Sequence, residues 1–100
     1  MIRGTTPTHT FTLPFDTALI KEVRVTYAQA DVPIVWKETK DCTLEGNTIS
    51  TTLTQEDTLS FDCTKAIQIQ IRVLTTAGEA LSTRVQNISV EKCLDGEVLA

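Results

Sequence analysis

His9 is the only histidine among the 100 residues, so any Ser-His-Asp or Cys-His relay would have to be assembled around it. It sits in the run THTFT, where threonine alternates with larger residues, the habit of a strand and not of a catalytic hub. Zinc takes two or more histidines or closely spaced cysteines, whereas Cys42, Cys63 and Cys93 lie 21 and 30 residues apart. Glu56, Asp57 and Asp62 offer hard oxygens that suit calcium, yet their spacing fits no EF-hand loop, and acids are also what the first turn of a helix favours. Gly4, Gly46, Gly78 and Gly96 are isolated, so no glycine-rich loop is present to cradle a phosphate. A glycosidase needs two carboxylates across a sugar cleft, and a chain this short has little room for both cleft and scaffold. The expectation is a protein that is not an enzyme, with no catalytic or metal-binding set and no cofactor.

The polar residues most open to a role stand in AIQIQIRVLTTAG, residues 66–78. If Ile67, Ile69, Ile71 and Val73 face a core, Gln68, Gln70 and Arg72 share the opposite face, and the following strand adds Arg84 and Gln86 on the same side. An antiparallel strand with one face in water has this pattern. So does a polar interface, because amide and guanidinium donors hydrogen-bond across a subunit boundary without leaving an apolar patch exposed. Gln68, Gln70, Arg72, Arg84 and Gln86 are therefore the candidate protein-interface residues.

The elements that must position them are strands. Threonine fills 18 of the 100 positions, and its β-branched side chain suits a pleated, half-solvated surface. In residues 8–13, His9, Phe11 and Leu13 share one face, and the bracketing Pro7 and Pro14 place this strand at a sheet edge, since proline cannot donate to a ladder. Residues 22–29 set Val23, Val25 and Tyr27 inward. After a turn at Ala30-Asp31, Val32, Ile34 and Trp36 continue inward as the second arm of a hairpin. Leu44 leads into a turn at Glu45-Gly46-Asn47, with positive φ expected at Gly46 and Asn47, and the next strand buries Ile49 and Leu53 with Thr51 between them. Its other face, Thr48, Ser50 and Thr52, is wet. Thr54 and Asp57 approximate a capping box, which predicts one helical turn that carries the chain between sheets and drops Leu59 into the core. In the closing strand, residues 80–90, Leu81, Thr83 and Val85 share one phase while Ile88 and Val90 take the other, so a β-bulge near Gln86-Asn87 is required.

About seven strands at roughly ten-residue spacing, with one short helical turn, predict an all-β fold: an immunoglobulin-like antiparallel β-sandwich, with a small barrel as the alternative. Residues 1–90 form the single domain, and residues 91–100 form a last strand or an arm that docks on another subunit. The net charge of -4, with no cluster of Lys and Arg, argues against nucleic acid or an anionic membrane as a partner. No apolar run has the length of a signal segment or a membrane span. The odd cysteine count points to free thiols in a reducing compartment, with a Cys42–Cys63 bridge left open.

Three segments, MIRGTTPTHTFTLPFD, LTQEDTLSF and IQIRVLTTAGEALSTRVQNISV, together most of the chain, resemble small, uncharacterised structural and accessory proteins of tailed phages and prophages of Gram-positive bacteria. The resemblance implies a virion structural or assembly module of the tail, baseplate or adaptor type, acting through protein–protein contacts with itself or with other virion proteins, a possible homo-oligomer made in the bacterial host cytoplasm before entering the virion. It transfers no catalytic or binding residue. The other function class is a carbohydrate- or ligand-binding sandwich. Sugar binding calls for exposed aromatic rings, and Phe11, Tyr27, Trp36 and Phe61 all fall in core phases. An exposed Trp36 or Tyr27 beside a groove would favour it.

Overall fold

The alternating segments do become strands. In the computed structural model, which describes residues 1–99, they are β1 (Thr8–Thr12), β2 (Ile20–Gln29), β3 (Val32–Glu38), β4 (Cys42–Glu45), β5 (Thr48–Thr52), β6 (Ile67–Thr75), β7 (Ala80–Ser82) and β8 (Gln86–Ile88), with one helical turn, α1 (Gln55–Leu59), between β5 and β6. They form an all-β sandwich of two antiparallel sheets. The smaller has the order β1-β5-β4, and the larger runs β3-β2-β6 with β7 and then β8 along the far side of β6. An immunoglobulin constant domain keeps its second strand with the first, fourth and fifth; here β2 lies in the larger sheet between β3 and β6.

Between the sheets lies one core, built on Val23, Val25 and Tyr27 from β2, Ile67, Ile69, Ile71 and Val73 from β6, and Ile49 and Leu53 facing them from β5 and its end. β1 is an edge strand, as its prolines require. The outer face of the smaller sheet is a row of hydroxyls that pair across strands, Thr8 with Thr52 at 2.7 Å and Thr10 with Ser50 at 3.0 Å. Only Gly46 of the Gly46-Asn47 turn takes a positive φ, 56°.

β3 departs from expectation. Ala30 and Asp31 both have positive φ, 50° and 64°, as a tight two-residue hairpin turn demands. The register then shifts between Tyr27 and Ala28, leaving Ile34 as the extra residue. Beyond this bulge the phase inverts: Val35 enters the core, while Trp36 turns outward and is 51% exposed. Val32 beside the turn is exposed as well, so neither belongs to the core as the sequence suggested. Lys37 takes an inward position instead, and its ammonium ion-pairs at 2.7 Å with Asp57 of α1, the pairing that makes a largely buried charge tolerable.

α1 starts with a reciprocal cap. Thr54 Oγ1 accepts from the Asp57 backbone N–H at 3.1 Å, and Asp57 Oδ2 accepts from the Thr54 N–H at 2.9 Å. Leu59 is only half-buried; Thr58 takes the interior, donating to the Thr5 carbonyl and accepting from the Gly4 N–H. Gln29, buried at the end of β2, clamps the loop after α1 through the backbone of Asp62 and Lys65.

The closing strand breaks where its phase conflict demanded a break, slightly earlier than expected. β7 and β8 pair with β6 in registers that differ by one residue, so the extra residue lies within 83–85. Thr83 mends the ladder: its N–H donates to the Ile71 carbonyl at 2.9 Å and its Oγ1 accepts from the Ile71 N–H at 3.0 Å. Residues 91–99 form no strand. A parallel bridge joins Ile2 and Glu91, and the Gln55 amide exchanges two hydrogen bonds with the Leu99 backbone. The three cysteines are free. Among the described residues, no helix is long and apolar enough to cross a membrane.

Candidate functional site

The outer face of the larger sheet is built in rows across β3, β2 and β6. Register places Glu38, Arg24, Arg72 and Ser82 in one row, Trp36, Thr26 and Gln70 in the next, and Pro33, Ala28, Gln68 and Asn87 in a third. Side chains directly opposite across an antiparallel pair stand about 5 Å apart at Cβ, so Trp36, Arg24 and Arg72 share one compact surface.

The five residues singled out by the sequence do not form a single patch. Gln68 is committed internally, accepting from the Asp31 N–H at 2.8 Å and donating to Asp31 Oδ1 at 2.9 Å, which braces the β2–β3 turn. Gln70 donates to the Thr83 carbonyl at 3.1 Å and so satisfies the bulge. Gln86 stands opposite Ile69 and therefore on the other face of the sheet, because the bulge before it reverses the phase that had aligned it with Gln70. Arg84 lies between β7 and β8, exposed to solvent. Arg72 alone combines a place in the rows with an uncommitted head, and among the described residues no carboxylate lies within ion-pair distance of it.

Arg72 faces Arg24 directly across the β2–β6 ladder. Like charges in that position destabilise a sheet slightly, and the Arg24–Glu38 contact at 3.5 Å is too exposed to offset much. The arginines border a concavity of about 560 Å³, lined also by Glu22, Glu38, Lys40, Leu74 and Ala80. Arg24 was legible as an outward residue of β2. Trp36 was not, for want of any sign of the bulge that turns it out.

The titratable groups of the interior bond to one another or to neighbouring side chains. His9 Nδ1 and the Tyr27 hydroxyl are 2.8 Å apart. Burial, aided by the positive amino terminus, holds His9 below the ordinary histidine range, and burial pushes the Tyr27 phenol well up, so the neutral phenol donates to a neutral imidazole. Burial also raises the Cys42 thiol. Asp57 would be raised by burial, but hydrogen bonds from Lys37 and Thr54 outweigh it and hold the carboxyl low. Among the described residues no three His, Cys, Asp or Glu side chains gather as a metal site. Comparison with known proteins returned no match: no family model fits the chain, and no curated protein or solved structure is significantly similar to it.

Proposed function

We propose that this chain is a non-catalytic assembly module, of the tail, baseplate or adaptor kind in a phage particle, that binds a protein partner through the outer face of its larger sheet. The observation that carries the binding face is the half-exposed Trp36 of β3, one row along the outer face from Arg24 and Arg72, which pair across β2 and β6. Tryptophan and arginine are the residue types that dominate interface energetics, and a preformed strand surface presents them at little ordering cost. A photo-crosslinking side chain at Thr26, between Trp36 and Gln70, tests it in the native cell. Protein adducts are expected, and Trp36→Ala or Arg72→Glu should reduce them about tenfold, the equivalent of 1.4 kcal/mol. An equal adduct yield from the same probe at Thr10, on the opposite sheet, would overturn the assignment.

A carbohydrate-binding role is the second reading, favoured by the same exposure of Trp36, since an aromatic face can stack on a sugar ring. Glycan-array binding that is lost on Trp36→Ala, with no protein adduct at Thr26, would replace the first reading with this one.

A further inference from the structure

We infer that residues 92–99 of one copy dock in the charged concavity of a second copy, so that copies of this chain join head to tail. This rests on the outer face of the larger sheet being a protein-binding surface and names the occupant of its groove. After Val90, the last buried residue, the chain carries aliphatic side chains that its own fold leaves uncovered: Leu94 is 95% exposed, and Val98 and Leu99 are exposed as well. The same segment carries two exposed carboxylates, Asp95 and Glu97, against one exposed cation, Lys92. The groove offers the complement, with Arg24, Lys40 and Arg72 against Glu22 and Glu38, and Leu74 and Ala80 as an apolar wall. On a chain of net charge -4 the groove holds one more cation than carboxylate, and a leucine-bearing segment with one more carboxylate than cation suits it in both respects.

Geometry favours an intermolecular contact. The groove lies at the end of the larger sheet where β6 finishes, around Arg72 and Leu74. The arm departs beyond β8, which pairs with the start of β6 at Ile67, and it is tethered there through the Ile2–Glu91 bridge. From Ile67 to Val73 the strand alone runs about 20 Å at 3.3 Å per residue, and the molecule is 46 Å along its longest axis. Residues 92–99, fully extended, reach about 26 Å, little more than that strand length, and within its own fold Leu99 is bonded instead to Gln55 of α1. The exposed Gln55–Leu99 contact is exchanged on docking. A groove at one end and an arm at the other make a heterologous contact, which closes into a ring or runs on as a filament and does not stop at a two-fold dimer.

Solution mass by light scattering after size exclusion, over a range of concentrations and with reductant, is the test. The wild type should assemble beyond a dimer, and raising salt from about 0.05 M to about 0.5 M should weaken assembly roughly tenfold. Arg24→Glu/Arg72→Glu, and separately a chain ending at Glu91, should each be monomeric, with unchanged thermal melts showing that both fold. Mixed, the two should form a one-to-one dimer and nothing larger, because one supplies only an arm and the other only a groove. A wild type that stays monomeric, or variants that assemble like it, would overturn the arm-to-groove contact. Should that happen while Trp36→Ala still abolishes protein adducts at Thr26, the binding face stands and its partner is a different protein.

Discussion

The hydrogen bond between His9 and Tyr27 joins β1 of the smaller sheet to β2 of the larger, so its protonation state bears on how the layers hold together. Tyr27 is fully buried and has its phenol raised by burial, so it donates, and His9 can accept only while Nδ1 is unprotonated. The groups around the pair do not favour an imidazolium: the amino terminus is positive, and Lys37, close enough to act on Cys42, is already paired with Asp57. Because the folded state holds His9 below its ordinary value of 6.5, the unfolded chain binds the proton more readily, and stability must fall as pH drops. The contribution is complete above about pH 6.5 and is lost as pH falls through the lower folded value. Urea melts between pH 8 and pH 5 should show this decline, and His9→Asn, which keeps an acceptor but cannot titrate, should flatten it. A wild-type profile as flat as the variant's would show that the pair does not link stability to protons. Asp57, also held low, adds a second loss only below its ordinary value of 3.8.

At the scale of elements, the two bulges differ in how visible they were. In residues 80–90 the polar and apolar positions are distinct enough that a phase conflict appears between Val85 and Ile88, and the break falls close to it, at 83–85. In β3 the run VPIVW is apolar in both phases, so no alternation exists to be violated. The turn geometry at Ala30-Asp31 and the resulting shift at Ile34 decide which side chains go inward. For the same reason β1, β2, β5 and β6 were legible and Trp36 was not. The internal roles of Gln68 and Gln70 were hidden for another reason: their partners, Asp31 and Thr83, come into reach only once strand register is set. The β7–β8 break also yields a test, since Thr83 Oγ1 is the acceptor for the Ile71 N–H. Thr83→Val keeps the shape and removes the acceptor, which should cost about 1–3 kcal/mol and speed hydrogen exchange at the Ile71 amide. Thr83→Ser should retain most of both. Equal stability of the valine and serine variants would mean that the bulge is held by its backbone alone.

The molecule as a whole is thin, 16 Å in its shortest dimension against 46 Å in its longest. Its radius of gyration of 14.2 Å exceeds the roughly 13 Å usual for a chain of this length. Two sheets stacked about 10 Å apart fill that thickness, so there is a single layer of core side chains, and a defect in it has no second layer to share the strain. β6 lies at the centre, paired on one side with β2 and on the other with β7 and β8, and successive residues of this strand serve the core and the proposed interface. Ile69, opposite the buried Tyr27, and Arg72, opposite Arg24 on the outer face, therefore separate the two roles. Ile69→Ala should destabilise the fold by about 2–5 kcal/mol, a large share of the roughly 5–15 kcal/mol that holds a domain together. Arg72→Glu should change stability by less than about 0.5 kcal/mol, because it relieves a like-charge pair and uncovers nothing. Chemical melts with one transition and an unchanged denaturant slope measure both. A loss under about 1 kcal/mol for Ile69→Ala would mean that the central strand does not carry the core, and a large loss for Arg72→Glu would mean that the outer face is needed for folding and is not held free for a partner.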